Sequence, residues 1–431
     1  MRDKDKETTG LDPTEKETEY SFIREKIKEK PFSKKRMLIG AIIALLFGAL
    51  FGGAFTVVNV MLTPILKESM ESADSFSIPA DEDVTEEEPT GEEQTDEDSS
   101  DEENSAELDA EAYQRLQTQL YAIGRVANKS IVTVTAISSD TDIFDTDYEN
   151  TDQASGVIIG ISDKQVLILT QYSSISGAEE IQITFISGAS STAEIVNYDG
   201  NIGLAVVSVQ TSDLSEGTQN SITAAKWGNS YNVSQGDVVL AVGSPLGSVY
   251  SILNGTITSV NNEVSMADSI YTMFSTNMLG STDGTGVLIN LDGEVIGIVL
   301  MDYNNESDQN TLTAISVSEL KSLIEKLSNG EDIAYLGAEI STVTSVLASE
   351  YDIPVGVYIK SVAEDSPALS AGLQAGDIIV EIDGESVTTV AEYMDYLAKQ
   401  SVGDTITLTI ERLSNGAYMQ TTCDVTLSKC Q

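Results

Sequence analysis

The stretch GVLINLDGEVIGIVL, residues 286–300, indicates the fold of this 431-residue chain. Two apolar runs flank the pair Asp292-Gly293, and an Asp-Gly pair in that setting is a strong hairpin signal. Many short strands with few helices favour an all-β barrel pair or a sandwich. Similar runs rich in Val, Ile and Leu predict upstream strands at residues 130–137, 155–161, 165–170, 180–185, 204–209 and 237–243.

Two folded domains are predicted. A helical stretch at 316–330 follows the strand-rich part and closes a first domain, which we place at 113–330. The remaining residues, 331–431, mix strands with short helices near PALSAGL and VAEYMDYLAKQ. That mixture is typical of a compact α+β domain.

The N-terminal part of the sequence, residues 1–112, contains a predicted membrane anchor. Residues 37–62 form an uncharged apolar run, and about 20 helical residues suffice to cross the hydrocarbon core. The run is too long for the apolar region of a signal peptide. A basic KKR cluster precedes it and acidic sequence follows, which predicts a single-pass plasma membrane protein with a cytoplasmic N-terminus. We predict a disordered cytoplasmic tail at 1–36 and a disordered acidic linker at 63–112.

Composition excludes several classes of function. The formal net charge of -46 argues against nucleic acid as a partner, because binding phosphates needs clustered Lys and Arg. The chain has no histidine, which removes the commonest general base near neutral pH and the imidazole metal ligand. We therefore predict no cofactor and no metal site. Cys423 and Cys430 are the only cysteines, and a disulfide and two free thiols both remain open.

Five segments carry a resemblance in their order and spacing: ASGVIIG (154–160), GLAVVSV (203–209), NGTITSVN (254–261), SPALSAGLQAGDIIVEIDGESV (366–387) and GDTITLTIER (403–412). In these segments the chain resembles the HtrA family. The resemblance implies a chymotrypsin-like double β-barrel followed by an α+β PDZ domain, so the predicted fold is mainly β, preceded by one transmembrane helix and the acidic linker. It also implies a homo-oligomer, a trimer.

The resemblance also assigns the three positions of a catalytic triad. In such a triad a serine attacks the peptide carbonyl, a histidine takes its proton and an aspartate orients the histidine. The family motifs place Ser173 on the histidine, Gly203 on the aspartate and Gly284 on the serine. None of these residues has the side chain that its position requires. We therefore predict that the chain is a pseudoprotease and not an enzyme.

The PDZ resemblance implies a peptide site in the loop YLGA. PDZ domains add an extended peptide to a sheet edge and capture its terminal carboxylate with backbone N–H groups. The loop residues are Tyr335, Leu336, Gly337 and Ala338. Four apolar residues of a later helix are candidates for the other wall of the groove or for the core: Val390, Tyr393, Met394 and Leu397.

The sequence thus predicts a membrane-anchored, extracytoplasmic HtrA-like protein. It would bind extended or C-terminal peptide or unfolded-protein segments through its PDZ domain, in quality control of the cell envelope. One alternative is an active serine endopeptidase with an unusual nucleophile, for which Ser281 and Thr285 are the candidates. The other is a structural scaffold whose barrel serves assembly.

Overall fold

The computed structural model describes residues 76–79, 81, 110–141, 147–304 and 310–430. The predicted tail at 1–36 and the predicted transmembrane helix at 37–62 lie outside these ranges. Within the described ranges, no helix is both long enough and apolar enough to cross a membrane.

The first barrel is a closed, antiparallel sheet with the strand order β1-β2-β3-β6-β5-β4. Closure leaves no exposed sheet edge. Helix α1 (Ala110–Ala127) leads into it. Its strands are β1 (Ile131–Thr141), β2 (Asp147–Ile161), β3 (Gln165–Gln171), β4 (Glu180–Thr184), β5 (Ser190–Asp199) and β6 (Leu204–Gln210).

Strands β3 and β6 are buried on both faces because they lie between two cores. Ile168 packs inside the first barrel. Its neighbours Leu167 and Leu169 point the other way, into a core shared with the second barrel. Successive strand residues face opposite sides, so a run of apolar residues without alternation marks such a doubly buried strand.

The second barrel contains the stretch 286–300. The short helix α2 (Glu216–Gln219) lies in the segment of chain that connects the two barrels. The strands follow the order β11-β8-β9-β10-β13-β12, and pairing of β11 with β12 closes the barrel, while β7 adds to β12 outside it. They are β7 (Lys226–Trp227), β8 (Val238–Ser244), β9 (Ser251–Met266), β10 (Ser269–Leu279), β11 (Thr285–Ile289), β12 (Glu294–Leu300) and β13 (Thr311–Ser316).

All seven predicted strand segments are confirmed, and most of their ends agree with the structure within one or two residues. The exceptions are the C-terminal end of β1 and the N-terminal end of β2, which extend their shared hairpin as far as the pair Thr141 and Asp147. The predicted closing helix is confirmed as α3 (Val317–Ser328). The two-barrel arrangement confirms the predicted fold of this part of the chain.

The C-terminal domain is a five-stranded sheet in the order β15-β16-β17-β19-β20, with β18 added to β17 and a separate pair β14-β21. Strand β15 therefore lies at the sheet edge. Its strands are β14 (Ala334–Tyr335), β15 (Ala338–Val343), β16 (Gly356–Val362), β17 (Ile378–Ile382), β18 (Glu385–Ser386), β19 (Thr405–Ser414), β20 (Ala417–Thr426) and β21 (Ser428–Lys429). Its helices are α4 (Ser345–Tyr351), α5 (Pro367–Ser370) and α6 (Val390–Leu397).

Helix α6 begins at a capping box. Thr389 accepts a hydrogen bond from the backbone N–H of Glu392, and the Glu392 carboxylate accepts one from the backbone N–H of Thr389. This reciprocal pair satisfies two N–H groups that a helix start otherwise leaves free. It sets the helix beside β15, where Thr342 accepts a hydrogen bond from the Val390 N–H at 3.0 Å.

A short stretch of the predicted linker packs against the second barrel. Ile78 is buried in the shared core. The Asp81 carboxylate lies 2.6 Å from the Lys321 ammonium of α3, and both side chains are nearly buried. The Phe76 N–H donates to the Asn329 side chain at 3.0 Å. These residues of the range 63–112 therefore belong to the folded body.

Candidate functional site

The three triad positions lie around the seam between the two barrels. Ser173 follows β3, Gly203 precedes β6 and Gly284 precedes β11. The Tyr172 N–H donates to the Gly203 carbonyl at 2.8 Å, which holds the first two positions together. A narrow space of about 10 Å³ in the seam is lined by a residue close to each position: Gln171, Leu204 and Thr285. The fold therefore brings a neighbour of each of the three positions to the same seam.

The loop before β11 closes tightly on Gly284. The Gly284 N–H donates to the Ser281 carbonyl at 2.9 Å, and the Ser281 N–H donates to the Pro245 carbonyl at 2.8 Å. A Cβ atom on Gly284 would lie 2.8 Å from the Pro245 oxygen and 2.9 Å from the Ser281 oxygen. Both contacts are closer than real Cβ atoms show. A serine at this position would require the loop backbone to move.

Thr285 joins the two barrels. Its hydroxyl accepts the Ser155 N–H at 2.8 Å, and it lies 2.8 Å from the Ser155 hydroxyl. Only 3% of Thr285 is exposed. Of the two hydroxyls considered as alternative nucleophiles, Thr285 is engaged inside the protein, whereas Ser281 is only partly buried.

The predicted peptide loop of the PDZ domain holds a carboxylate from the second barrel. The N–H groups of Leu336 and Gly337 donate to one oxygen of Asp268, at 2.8 and 2.7 Å. The Ala338 N–H donates to the other oxygen at 3.1 Å. Three successive N–H groups converge because Gly337 has a φ of +90°, which favours glycine. Tyr335 does not donate to Asp268 and instead pairs within β14 and β21.

Asp268 lies in the two-residue turn between β9 and β10. The Tyr393 hydroxyl donates a fourth hydrogen bond to its carboxylate, at 2.9 Å. The Asp268 N–H donates to the Ala338 carbonyl at 2.7 Å, and Ala267 forms an antiparallel bridge with Glu339 of β15. Burial raises the pKa of Asp268, while the backbone N–H groups and the Tyr393 hydroxyl favour its charged form.

The four groove candidates of α6 have different roles. Val390, Tyr393 and Leu397 are buried in the PDZ core. Met394 is only partly buried and contacts both this core and the core shared by the barrels. Its sulfur lies 3.5 Å from the Ile270 nitrogen of β10. Met394 thus contacts the β9–β10 hairpin through its sulfur, and Tyr393 contacts it through its hydroxyl.

A cavity of about 210 Å³ lies beside this hairpin, between the second barrel and the PDZ domain. Its lining includes Asp199, Tyr335 and Cys430. Burial raises the pKa of Cys430 to about 11, and the nearby Asp199 and Asp268 carboxylates add to that rise. Burial likewise raises the pKa of Tyr335 to about 12. Both cysteines of the chain are free.

Sequence reasoning did not identify Asp268. It lies in the segment MADSI, which has the polar character of an ordinary turn, and 68 residues separate it from Leu336. The one local signal is the pair Ala-Asp between two strands, since Asp tolerates the left-handed backbone that such turns require. Asp268 has a φ of +61°.

Two domain families match the chain. Residues 154–298 match the trypsin-like peptidase domain, and residues 358–412 match the PDZ domain. The first match spans most of the two barrels, and the second covers most of β16 to β19 with helices α5 and α6.

Curated relatives match both domains together. "Serine protease Do-like HtrA" of Lactobacillus helveticus is 28% identical over 281 residues, which is 61% of this chain and 66% of the relative. The protein of the same name from Bacillus subtilis is 28% identical, over 62% of this chain and 61% of the relative. "Probable periplasmic serine endoprotease DegP-like" of Halomonas elongata is 29% identical, over 60% of this chain and 53% of the relative. The chain thus spans between about half and two thirds of their length.

Solved structures share the fold. "HtrA-type protease AlgW with decapeptide" has a TM-score of 0.53 and 22% identity, covering 71% of this chain and 98% of that one. "HtrA-type protease AlgW with tripeptide" has a TM-score of 0.51, also at 22% identity, covering 72% of this chain and 96% of that one.

The comparisons correct one prediction. We predicted from Ser173, Gly203 and Gly284 that the chain is not an enzyme. That prediction is wrong, because the relatives are named serine proteases and their names point to an endopeptidase. The chain carries a trypsin-like peptidase domain followed by a PDZ domain and is a homologue of the HtrA and DegP-like serine proteases.

Proposed function

We propose that this protein captures the carboxyl-terminal segments of extracytoplasmic proteins through its PDZ domain, as an HtrA-type protein of envelope quality control. The observation that carries the proposal is the set of three N–H groups, from Leu336, Gly337 and Ala338, that converge on one carboxylate. Hydrogen bonds from N–H groups to an ionised carboxylate are about twice as strong as neutral ones. The periplasmic name of the Halomonas relative supports the location.

The neighbouring surface suits an extended peptide. Strand β15 lies at the edge of its sheet, where an extended peptide can add as a strand, and the turn at Ala267 and Asp268 already pairs with the first residues of this edge. The partly buried Met394 of α6 offers an apolar contact on the opposite side. A peptide that ends in a free carboxylate and carries an apolar last side chain fits both features.

Fluorescence anisotropy with the full chain tests this proposal. The probe is a labelled decapeptide that ends in valine, compared with the same peptide as its C-terminal amide. We expect the free acid to bind about tenfold or more tightly, because the amide lacks the charge that the loop N–H groups recognise. Equal binding of the two peptides would contradict carboxylate capture.

Endopeptidase activity is the second candidate function, and the names of the relatives favour it. A catalytic serine needs a base, and the sequence offers no histidine. Cleavage by this chain would therefore use a lysine, a carboxylate or water in that role. Ser281 is the more accessible of the two candidate hydroxyls, because Thr285 is tied to Ser155.

Casein cleavage by the full chain, with labelling by a fluorophosphonate, tests the second candidate. Cleavage and labelling that both disappear in Ser281→Ala would identify the nucleophile. The matched control is Ser187→Ala, which removes a serine hydroxyl at the turn after β4, where it donates a partly buried hydrogen bond to Thr218. Absence of both signals in the unmodified chain would refute endopeptidase activity.

We also propose that residues 37–62 anchor the protein in the plasma membrane with its folded domains outside. The apolar run and its basic N-terminal flank support this proposal. The full chain should stay in the membrane fraction after an alkaline wash, whereas a chain without residues 37–62 should not. The trimer stays a prediction, which mass measurement in detergent would test.

A further inference from the structure

We propose that the hairpin β9–β10 is a built-in ligand of the PDZ domain, and that a peptide with a free carboxyl terminus binds only by displacing Asp268. This inference rests on the proposed peptide binding and names what competes with the peptide. It would make the PDZ site self-occupied in the resting protein.

The Asp268 carboxylate satisfies the loop as a terminal carboxylate would. Its two oxygens receive three backbone N–H groups and the Tyr393 hydroxyl at distances between 2.7 and 3.1 Å. Only 7% of Asp268 is exposed. The residue also donates its own N–H to the Ala338 carbonyl. One carboxylate and one N–H from the same residue are the polar groups that the last residue of a peptide presents.

The rest of the hairpin tip repeats two other features of a bound peptide. Ala267 forms an antiparallel bridge with Glu339, so the tip adds to the free edge of β15. Ile270 packs against the PDZ core beside Met394. The hairpin therefore supplies a carboxylate, a short strand and an apolar side chain from a domain other than the PDZ domain.

The two ligands exclude each other. A second carboxylate cannot share the same N–H groups, and two carboxylates at hydrogen-bonding distance repel. The peptide affinity that is measured is the intrinsic affinity multiplied by the fraction of molecules whose site is open. Any change that weakens the hairpin contact should therefore tighten peptide binding without altering the loop.

The contacts around the tip are consistent with a reversible closure. Lys360 of β16 lies 3.4 Å from the Ser265 hydroxyl of β9, at an exposed position. Lys326 of α3 donates to the Ala398 carbonyl, which is also exposed. Exposed polar contacts of this kind contribute little to stability, so Asp268 supplies the main polar contact at the tip of the hairpin.

Asp268→Asn is the direct test, because Asn keeps the size of the side chain and tolerates a positive φ. The amide loses the charge and presents N–H atoms to the loop donors. The matched control is Glu263→Gln, which removes one negative charge from an exposed position on the same hairpin. The probes are the labelled decapeptide ending in valine and its C-terminal amide, each added to the full chain.

We expect Asp268→Asn to bind the free acid about tenfold or more tightly than the unmodified chain, and Glu263→Gln to leave the affinity unchanged. Equal affinities in the unmodified chain and Asp268→Asn, with the free acid still preferred over the amide, would overturn the built-in ligand and leave the proposed function standing. Loss of that preference in both proteins would refute the proposed function, and this inference with it.

Hydrogen exchange gives a second test that needs no substitution. The Asp268 N–H is bonded to Ala338 in the closed hairpin. Saturating free-acid peptide should speed exchange at residues 267–270 in the unmodified chain, because displacement frees these amides. Bound peptide with no change in this exchange would show that the two ligands do not compete.

Discussion

Asp377 shows how a buried carboxylate of the PDZ domain is compensated by one side chain. Arg412 donates to both oxygens of Asp377 at 2.6 Å and also to the Gly372 carbonyl at 2.8 Å. Asp377 is fully buried, whereas Arg412 reaches it from a partly exposed position. The planar guanidinium matches a carboxylate with two parallel hydrogen bonds, which a lysine could not do.

We expect Arg412→Met to lower the free energy of unfolding by about 3 kcal/mol, because it leaves a buried carboxylate without its cation. The matched control is Lys360→Met, which breaks the more exposed pair with Glu339 at 3.7 Å. That control should cost less than about 1 kcal/mol. Urea unfolding followed by circular dichroism measures the free energy of unfolding of both variants. Equal losses in Arg412→Met and Lys360→Met would contradict the role of the buried pair.

Thr285 gives a second prediction at the residue scale. Thr285→Val keeps the shape but removes the acceptor of the buried Ser155 N–H. An unpaired buried N–H costs about 1–3 kcal/mol, so the seam between the barrels should weaken by that amount. Thr192→Val is the control, since its hydroxyl bonds to Glu180 at an exposed position and should cost little. A smaller loss for Thr285→Val than for Thr192→Val in thermal unfolding would refute the role of Thr285.

At the scale of elements, two constraints require glycine at position 337: its left-handed backbone and the lack of space for a Cβ atom. Gly337 and Gly376 have φ values of +90° and +96°, so alanine at either position carries left-handed strain of about 1–2 kcal/mol. A Cβ on Gly337 would also lie 2.4 Å from the Ser366 Cβ, whereas nothing lies within 4 Å of one on Gly376. Ser366 is held in place because it caps α5 by accepting the Leu369 N–H.

We therefore expect Gly337→Ala to weaken binding of the free-acid decapeptide about tenfold or more, since the loop must shift and its N–H groups no longer converge. Gly376→Ala should leave the affinity nearly unchanged. Both substitutions are best made together with Asp268→Asn, so that the hairpin does not mask the result. Equal loss of binding in the two variants would show that backbone strain alone, and not the clash with Ser366, lowers the affinity for the peptide.

The elements that could be predicted from the sequence are those with a local signal. Asp292-Gly293 marks the β11–β12 hairpin, and the register that it sets places Gly284 immediately before β11. Strand β9 was not predicted, because it contains Gly255 and the polar pair Asn261-Asn262 and its burial does not alternate regularly. Its partner β10 was missed with it, and so was the turn that carries Asp268.

The candidate site, like the strands and helices, could be predicted only where the sequence carries a local signal. The resemblance located the loop at Leu336, Gly337 and Ala338, whose N–H groups do converge on a carboxylate. The source of that carboxylate depends on how the second barrel meets the PDZ domain, which is a long-range property of the fold. The closure of the loop carbonyls on Gly284 likewise follows from backbone geometry, and residue types alone do not report it.

At the scale of the whole molecule, the reactivity of the Cys430 thiol should depend on the contact between the barrels and the PDZ domain. It follows β21 in the PDZ domain and lines the cavity that Asp199 of the first barrel also lines. Because its pKa is raised to about 11, little of the thiol is ionised at pH 8, whereas an ordinary thiol has a pKa of about 8.5. The thiolate is the reactive form, so the closed arrangement should protect Cys430 from alkylation.

We expect Cys430 in a Cys423→Ser chain to react with iodoacetamide at pH 8 about tenfold more slowly than an exposed thiol, since the loss of thiolate is only partly offset by its higher nucleophilicity. The rate should rise about tenfold for each pH unit between 8 and 10, because the thiolate fraction rises with pH as long as the pH is below the pKa.

Adding Asp268→Asn, or saturating the chain with the free-acid decapeptide, should speed the reaction of Cys430 at pH 8, because opening the cavity returns the thiol to water and lowers its pKa. Intact mass measures the rate, with Glu263→Gln as the control that should not change it. If peptide binds and the rate stays the same, the hairpin can leave the loop while the cavity around Cys430 stays closed, and peptide binding then does not separate the barrels from the PDZ domain.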